Sequence, residues 1–281
     1  MNNNEKVKLD EVLKFLFSTS KGVLVKLLNG IFDEDYEASE VDLTVSNNEF
    51  ITDTFETLRG DLFFDILKNE SHKVGYHLEF QTRNDSTMVI RMFEYGLRKG
   101  KEHSSKNDDF KTIYFPKQKV IFIEQNANID DELKLRIVFP DNQRIIYNVP
   151  VMKYWEYDDE ELLNKKMYPL LPLQLFNLRK ELEYARKKND IAKIQYLAQE
   201  AKGIAEKIAM ESKKLFEEKE IVGDDFHKML LAIQNLIEYL NRNYFKDKNI
   251  ENEVITMTKT LIDPEVEKRG EKKESLKLQK I

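Results

Sequence analysis

Two acids and an amide at strand spacing are the residues of this chain that could do chemistry: Asp61, Glu79 and Gln81. Strand side chains alternate between faces, so in the run 77–81 Glu79 and Gln81 project together while Leu78 and Phe80 project the other way. In the run 59–65, Asp61, Phe63 and Asp65 share one face and Leu62 and Phe64 the other. Adjacent strands could aim the three oxygen-bearing side chains at one point. Two carboxylates and an amide are hard oxygen donors that suit Mg²⁺ or Mn²⁺ and a water molecule, the chemistry of phosphodiester hydrolysis. The pattern also suits ordinary polar residues on the wet face of a hairpin, because an acid followed two places later by Lys recurs at Glu132, Glu217 and Glu271. What sets 61–81 apart is the aromatic and aliphatic company of its acids, where a carboxylate is disfavoured by propensity and by desolvation.

Composition narrows the alternatives. With no cysteine, disulfides, thiolate metal sites and cysteine nucleophiles are excluded. The four histidines, His72, His77, His103 and His227, show no paired metal-ligand spacing. Gly30, Gly60, Gly75, Gly96 and Gly100 are isolated, so no phosphate-cradling loop is present, and no nucleophile-elbow motif supports a serine triad. No apolar run approaches the roughly eighteen residues that span a bilayer, and residues 1–6 lack a signal-peptide core, which predicts a soluble cytoplasmic protein. The net charge of −6 argues mildly against nucleic-acid binding. Within 98–119, however, seven Lys and Arg face the three acids Glu102, Asp108 and Asp109. That stretch suits phosphates beside the site, or equally a solvated helix end and a flexible loop.

The elements that must position these groups follow from periodicity. Helices are predicted over 9–17 and 21–32, the second capped by Ser20 and weakened at Asn29 and Gly30. Short strands are predicted at 41–45 and 49–55, then the two site strands at 58–67 and 73–81, joined by a polar connection over 68–72. Met88, Met92 and Tyr95 recur at helical spacing within 87–99, with Arg91 beside that stripe. The apolar run 120–123 reads as a strand covered on both faces, and 133–139 and 144–149 as an alternating pair. From 173 to 246, two or three amphipathic helices are predicted: one through Leu175, Leu178, Leu182 and Ala185, one from Ile191 with an irregularity at Gly203, and one after Gly223 capped by Asp224. The Asn189–Asp190 pair reads as a break. This C-terminal part reads as a helical hairpin or small bundle suited to packing, dimerisation or partner binding.

Residues 10–17, 27–32, 59–61, 77–81 and 91–95 resemble, in this order, the PD-(D/E)XK nuclease-family transposases, close to the recombination-promoting nucleases of bacteria. The likeness covers roughly 8–150 and is strongest from 58 to 96. It implies an α+β fold with an α/β-like core, a restriction-endonuclease-like mixed sheet flanked by helices, and Mg²⁺-dependent cleavage of DNA. Asp61 stands for the family's motif acid, Glu79 for its second acid and Gln81 for its terminal Lys. Arg59 belongs to the same motif, and Arg91 is implied to brace the acids. Asp10 is a candidate helical acid near the cation, or simply an acid favoured at a helix N-terminus. Asp53 and Glu34 are further acids within reach of the idea, and Lys14 suits a structural ion pair. Gly60 departs from the Pro, and Gln81 from the Lys, of the superfamily's name; the nearer transposase-like family is similar to this chain in using Gln. A catalytically inactive DNA-binding or protein-interaction module on the same scaffold is the alternative. The domains expected are 1–170 nuclease-like, 171–263 helical with a capacity for homo-oligomers, and 264–281 a polar tail, disordered or a frayed helix.

Overall fold

The structure is a computed structural model, and it describes residues 12–13, 15–46, 49–51, 57–59, 62–69, 72–102, 104–107 and 110–261. Helix α1 (Lys21–Phe32) precedes strands β1 (Asp42–Ser46), β2 (Glu49–Ile51), β3 (Thr57–Arg59), β4 (Leu62–Asn69) and β5 (His72–Gln81). Helix α2 (Met88–Glu102) leads to β6 (Ser105–Asn107), β7 (Phe110–Thr112), β8 (Lys117–Phe122), β9 (Glu132–Val138) and β10 (Arg144–Lys153). Six strands form one mixed sheet in the order β1-β4-β5-β8-β10-β9, with β5, β8 and β10 mutually parallel and the other pairings antiparallel. The fold is α+β. Strands β4 and β5 run further into the 68–72 connection than its polarity predicts, leaving only 70–71 outside them.

Why these residues form the sheet is visible in its burial. Val120, Ile121 and Phe122 are all fully buried, so β8 is covered on both faces and reads as an unbroken apolar run. On the α2 side, Met88 and Met92 pack with Val120, Phe122 and Val149, and Trp155 lies against this cluster. Gly96 lets the helix approach closely: a Cβ there would meet Phe115 Cδ1 at 2.6 Å and Gln118 Oε1 at 2.7 Å.

Contacts divide the chain into two compact units, Glu37–Tyr157 and the pair Met1–Tyr36 with Asp158–Ile281. This partition runs differently from a division at residue 170. It puts α1 with the C-terminal helices, and part of the tie is polar: Asp225, itself buried, accepts from the Ser20 N–H at 2.6 Å and the Ser20 hydroxyl at 2.7 Å. Ser20 also caps α1 by accepting from Val23 N. The tail 264–281 lies outside the described residues.

In the second unit, helices α3 (Asp159–Asn164), α4 (Arg179–Lys187), α5 (Ile191–Glu217), α6 (Gly223–Leu240) and α7 (Lys248–Leu261) follow in order. The stripe through Leu175 and Leu178 is not one helix with Leu182. Residues Tyr168–Leu178 form a 3₁₀ segment that contains Pro169 and Pro172, and α4 begins only after them. Asn189 takes a left-handed conformation at φ 54° and Asp190 caps α5, so the break predicted there is present. Asp224 does not cap α6; it pairs with Lys228 at 2.8 Å, and Asp225 accepts from the Val222 N–H instead. Gly203 causes no irregularity, since α5 passes through it and nothing lies within 4 Å of a Cβ built there.

The two glycines therefore predict opposite signs. Gly203→Ala should raise the unfolding free energy by roughly 0.5–1 kcal/mol through helix propensity. Gly96→Ala should lower it by about 1–3 kcal/mol, because overpacking against Gln118 and Phe115 outweighs the same propensity gain. Urea denaturation of both variants checks the pair.

Candidate functional site

Strands β4 and β5 pair with Leu62 opposite Leu78, Phe63 opposite His77 and Asp65 opposite Gly75. Paired residues share a face, so His77, Glu79 and Gln81 stand on the Phe63 side, beneath α2. The Phe63 and His77 rings stack at 4.2 Å. Glu79 and Gln81 do meet: Gln81 Nε2 donates to Glu79 Oε1 at 2.9 Å. Asp61, Gly60, Asp10, Lys14 and Asp53 lie outside the described residues, as does the side chain of Arg59. Leu62 and Leu78, which are partners, are the chain neighbours of Asp61 and Glu79. Glu34 belongs to the helical unit.

Glu79 is 1 % exposed. A buried carboxylate needs compensation, and α2 supplies it through Arg91, whose guanidinium donates to Glu79 Oε1 at 2.7 Å. The same guanidinium reaches Asp85 Oδ2 at 3.4 Å, where the chain turns into α2. Hydrogen bonds from Thr87, side chain first and then backbone, hold Asp85 below the usual carboxylate range. For Arg91 burial works to lower the pKa, and the fields of Glu79, Tyr95 and Asp85 reverse it, so the guanidinium stays charged.

Behind Glu79 lies a buried polar line that no spacing rule suggests. His77 Nε2 stands 3.8 Å from Glu79 Oε2, and His77 Nδ1 is 3.0 Å from Gln118 Nε2. Gln118 Nε2 also donates to the Met92 carbonyl at 2.8 Å, while its Oε1 accepts from the Tyr147 hydroxyl. Burial pushes the Tyr147 phenol upward. Burial first, and then the Arg91 charge, lower His77 to about 3. The available sequence signal was the alternation of 77, 79 and 81; Gln118 is a non-local partner.

A second carboxylate on this face, Asp65, is also buried and pairs at 3.3 Å with both Lys73 and Lys99. Lys99 is therefore internal, and the cationic surplus of 98–119 is not all surface charge. Lys117 pairs with Tyr76, about 10 Å along the strand from Glu79, whereas Lys119 pairs with Leu78, the residue next to Glu79. Among the described residues no group of three or more His, Cys, Asp or Glu gathers to hold a metal, and no helix is long and apolar enough to cross a membrane. No family model, curated protein or solved structure matches the chain.

Two outcomes follow. Arg91→Ala should destabilise the protein by roughly 2–3 kcal/mol in urea, because it removes the guanidinium paired with a buried carboxylate, and Arg91→Lys should restore only part, lacking the fork that spans Glu79 and Asp85. His77 in the unfolded chain takes a proton below about 6.5, while the folded ring stays neutral down to about 3. Its stabilising contribution is thus complete above the unfolded value and is lost progressively as the pH falls toward the folded one. Between pH 4 and 6, unfolding free energy should rise with pH more steeply in the wild type than in His77→Phe, by at most about 1.4 kcal/mol per pH unit.

Proposed function

We propose that the sheet unit is a Mg²⁺-dependent DNA endonuclease of the PD-(D/E)XK transposase and recombination-promoting type, its sheet a restriction-endonuclease-like core and α5–α7 a helical bundle serving partners or self-association. The observation that carries this reading is Glu79. A carboxylate with 1 % exposure, set in the middle of a sheet between apolar strands, is costly to keep unless it is used. It lies near the carboxyl ends of the parallel strands β5 and β8, a usual place for ligands in such sheets.

The donor chemistry fits a hard divalent cation: Glu79 and Gln81 put a carboxylate and an amide side by side, with Asp61 proposed as the second acid. Mg²⁺ held there would lower the pKa of water and neutralise charge on the scissile phosphate. Gln81, an uncharged group, orients Glu79 and offers an amide to a phosphate oxygen or to water. Arg91 pairs with Glu79 and would supply the fixed positive charge that a lysine at 81 would have carried.

One observation favours the rival, a DNA-binding module without cleavage: Glu79 Oε1 already accepts from both Gln81 and Arg91. Plasmid nicking separates the readings. Wild-type protein should nick in Mg²⁺ or Mn²⁺ and stop in EDTA, and Asp61→Ala or Glu79→Ala should each reduce the rate by about 100-fold or more. Activity surviving in either purified variant refutes the assignment. DNA binding that ignores EDTA, with no nicking by the wild type, establishes the rival.

A further inference from the structure

We infer that His77 is a positioning residue for Glu79, locked in the tautomer that carries its proton on Nε2 and aimed at the second carboxylate oxygen; this rests on the reading of Glu79 as a metal ligand. The lock is set from outside the ring. Gln118 can present either its amide nitrogen or its amide oxygen to His77, and two neighbours choose. The Met92 carbonyl, at 2.8 Å, can only accept, so it fixes the nitrogen end. The Tyr147 hydroxyl donates to the oxygen end. The amide nitrogen is then what faces His77 Nδ1 at 3.0 Å, and Nδ1 must accept. In a neutral imidazole the other nitrogen then bears the hydrogen.

Nε2 is buried without a hydrogen-bond partner, 3.8 Å from Glu79 Oε2. A buried N–H left in this state is unusual and calls for an acceptor. The stack on Phe63 at 4.2 Å and the edge of Tyr95 at 5.5 Å hold the ring plane, and the Gln118 bond to Nδ1 holds Nε2 toward the carboxylate. A small shift of Glu79 would close the gap. While Arg91 and Gln81 hold Oε1, His77 would then hold the other oxygen, fixing the plane of the carboxylate. Partners of this kind set ligand orientation at metal centres.

The test has two arms on the full chain. Long-range ¹⁵N NMR of histidine-labelled protein at pH 7 should show His77 with a protonated Nε2 and a bare Nδ1; the opposite tautomer or an imidazolium overturns the inference. In Mg²⁺ calorimetry, His77→Phe keeps the stacking ring but removes the donor, and affinity should fall about 10- to 100-fold. In His77→Gln the amide nitrogen can overlay Nε2, so it should recover most of that loss, which a merely structural role would not produce. His77→Phe binding Mg²⁺ as the wild type does overturns the role even if nicking is intact. A wild type that binds no Mg²⁺ overturns the role and the metal reading together. A wild type that binds Mg²⁺, loses it in His77→Phe and never nicks DNA supports the role and refutes only the nuclease.

Discussion

The sheet unit is organised by the need to keep one charge out of water. Placing the Glu79 carboxylate inside the sheet forfeits hydration worth several kcal/mol, and only a close, well-aligned cation with further hydrogen bonds can offset that. Arg91 provides the cation and Gln81 a hydrogen bond, both to the same oxygen. Because Arg91 is carried by α2, the helix cannot slide or lift without withdrawing the guanidinium that offsets the buried carboxylate. The chemistry of the site and the packing of the helix are thus one constraint.

A second acid–base contact fixes the other end of α2. Asp65 meets Lys99 across the same face. On a helix rising about 1.5 Å per residue, Arg91 and Lys99 lie about 12 Å apart. On the sheet, Asp65 pairs with Gly75, and from Gly75 to Glu79 is about 13 Å of strand. The two spacings match, so helix and strand run antiparallel with both contacts made at once. Between them the helix presses close at Gly96, over Gln118 and Phe115. Apolar packing alone would tolerate small shifts in register; two buried ion pairs at matched spacing would not.

Local periodicity made much of this legible. The alternation of Glu79 and Gln81 against Leu78 and Phe80, the two-faced burial of Val120–Phe122 and the Met88–Met92–Tyr95 stripe each mark an element and its inner face. What they cannot mark is the residue opposite. That depends on strand order, which sets β8 beside β5 and so brings Gln118 to His77. Lys99 reads in sequence as one of seven cations in a basic stretch, yet it is 3 % exposed, because its partner Asp65 comes from a strand earlier in the chain. The 3₁₀ segment was hidden for another reason. Its apolar residues keep a helical look while Pro169 and Pro172 remove backbone donors. For Asp61, only the strand neighbour Leu62 and its pairing with Leu78 are described.

On the proposed reading, the glutamine at position 81 is a consequence of Arg91. A lysine there would bring a second cation to the oxygen that Arg91 already holds at 2.7 Å. With one buried carboxylate facing two cations, the surplus positive charge would itself need a counter-ion, and Asp85 is already engaged by Arg91 and Thr87. A neutral amide keeps the hydrogen bond to Glu79 and leaves the charge balance intact. The guanidinium differs from a lysine in one useful respect. Delocalised and weakly hydrated, it can remain against Glu79 while the Arg91 side chain keeps 29% of its surface exposed. On the proposed reading, positive charge has moved from strand to helix, and with it the control of the site has passed to the docking of α2.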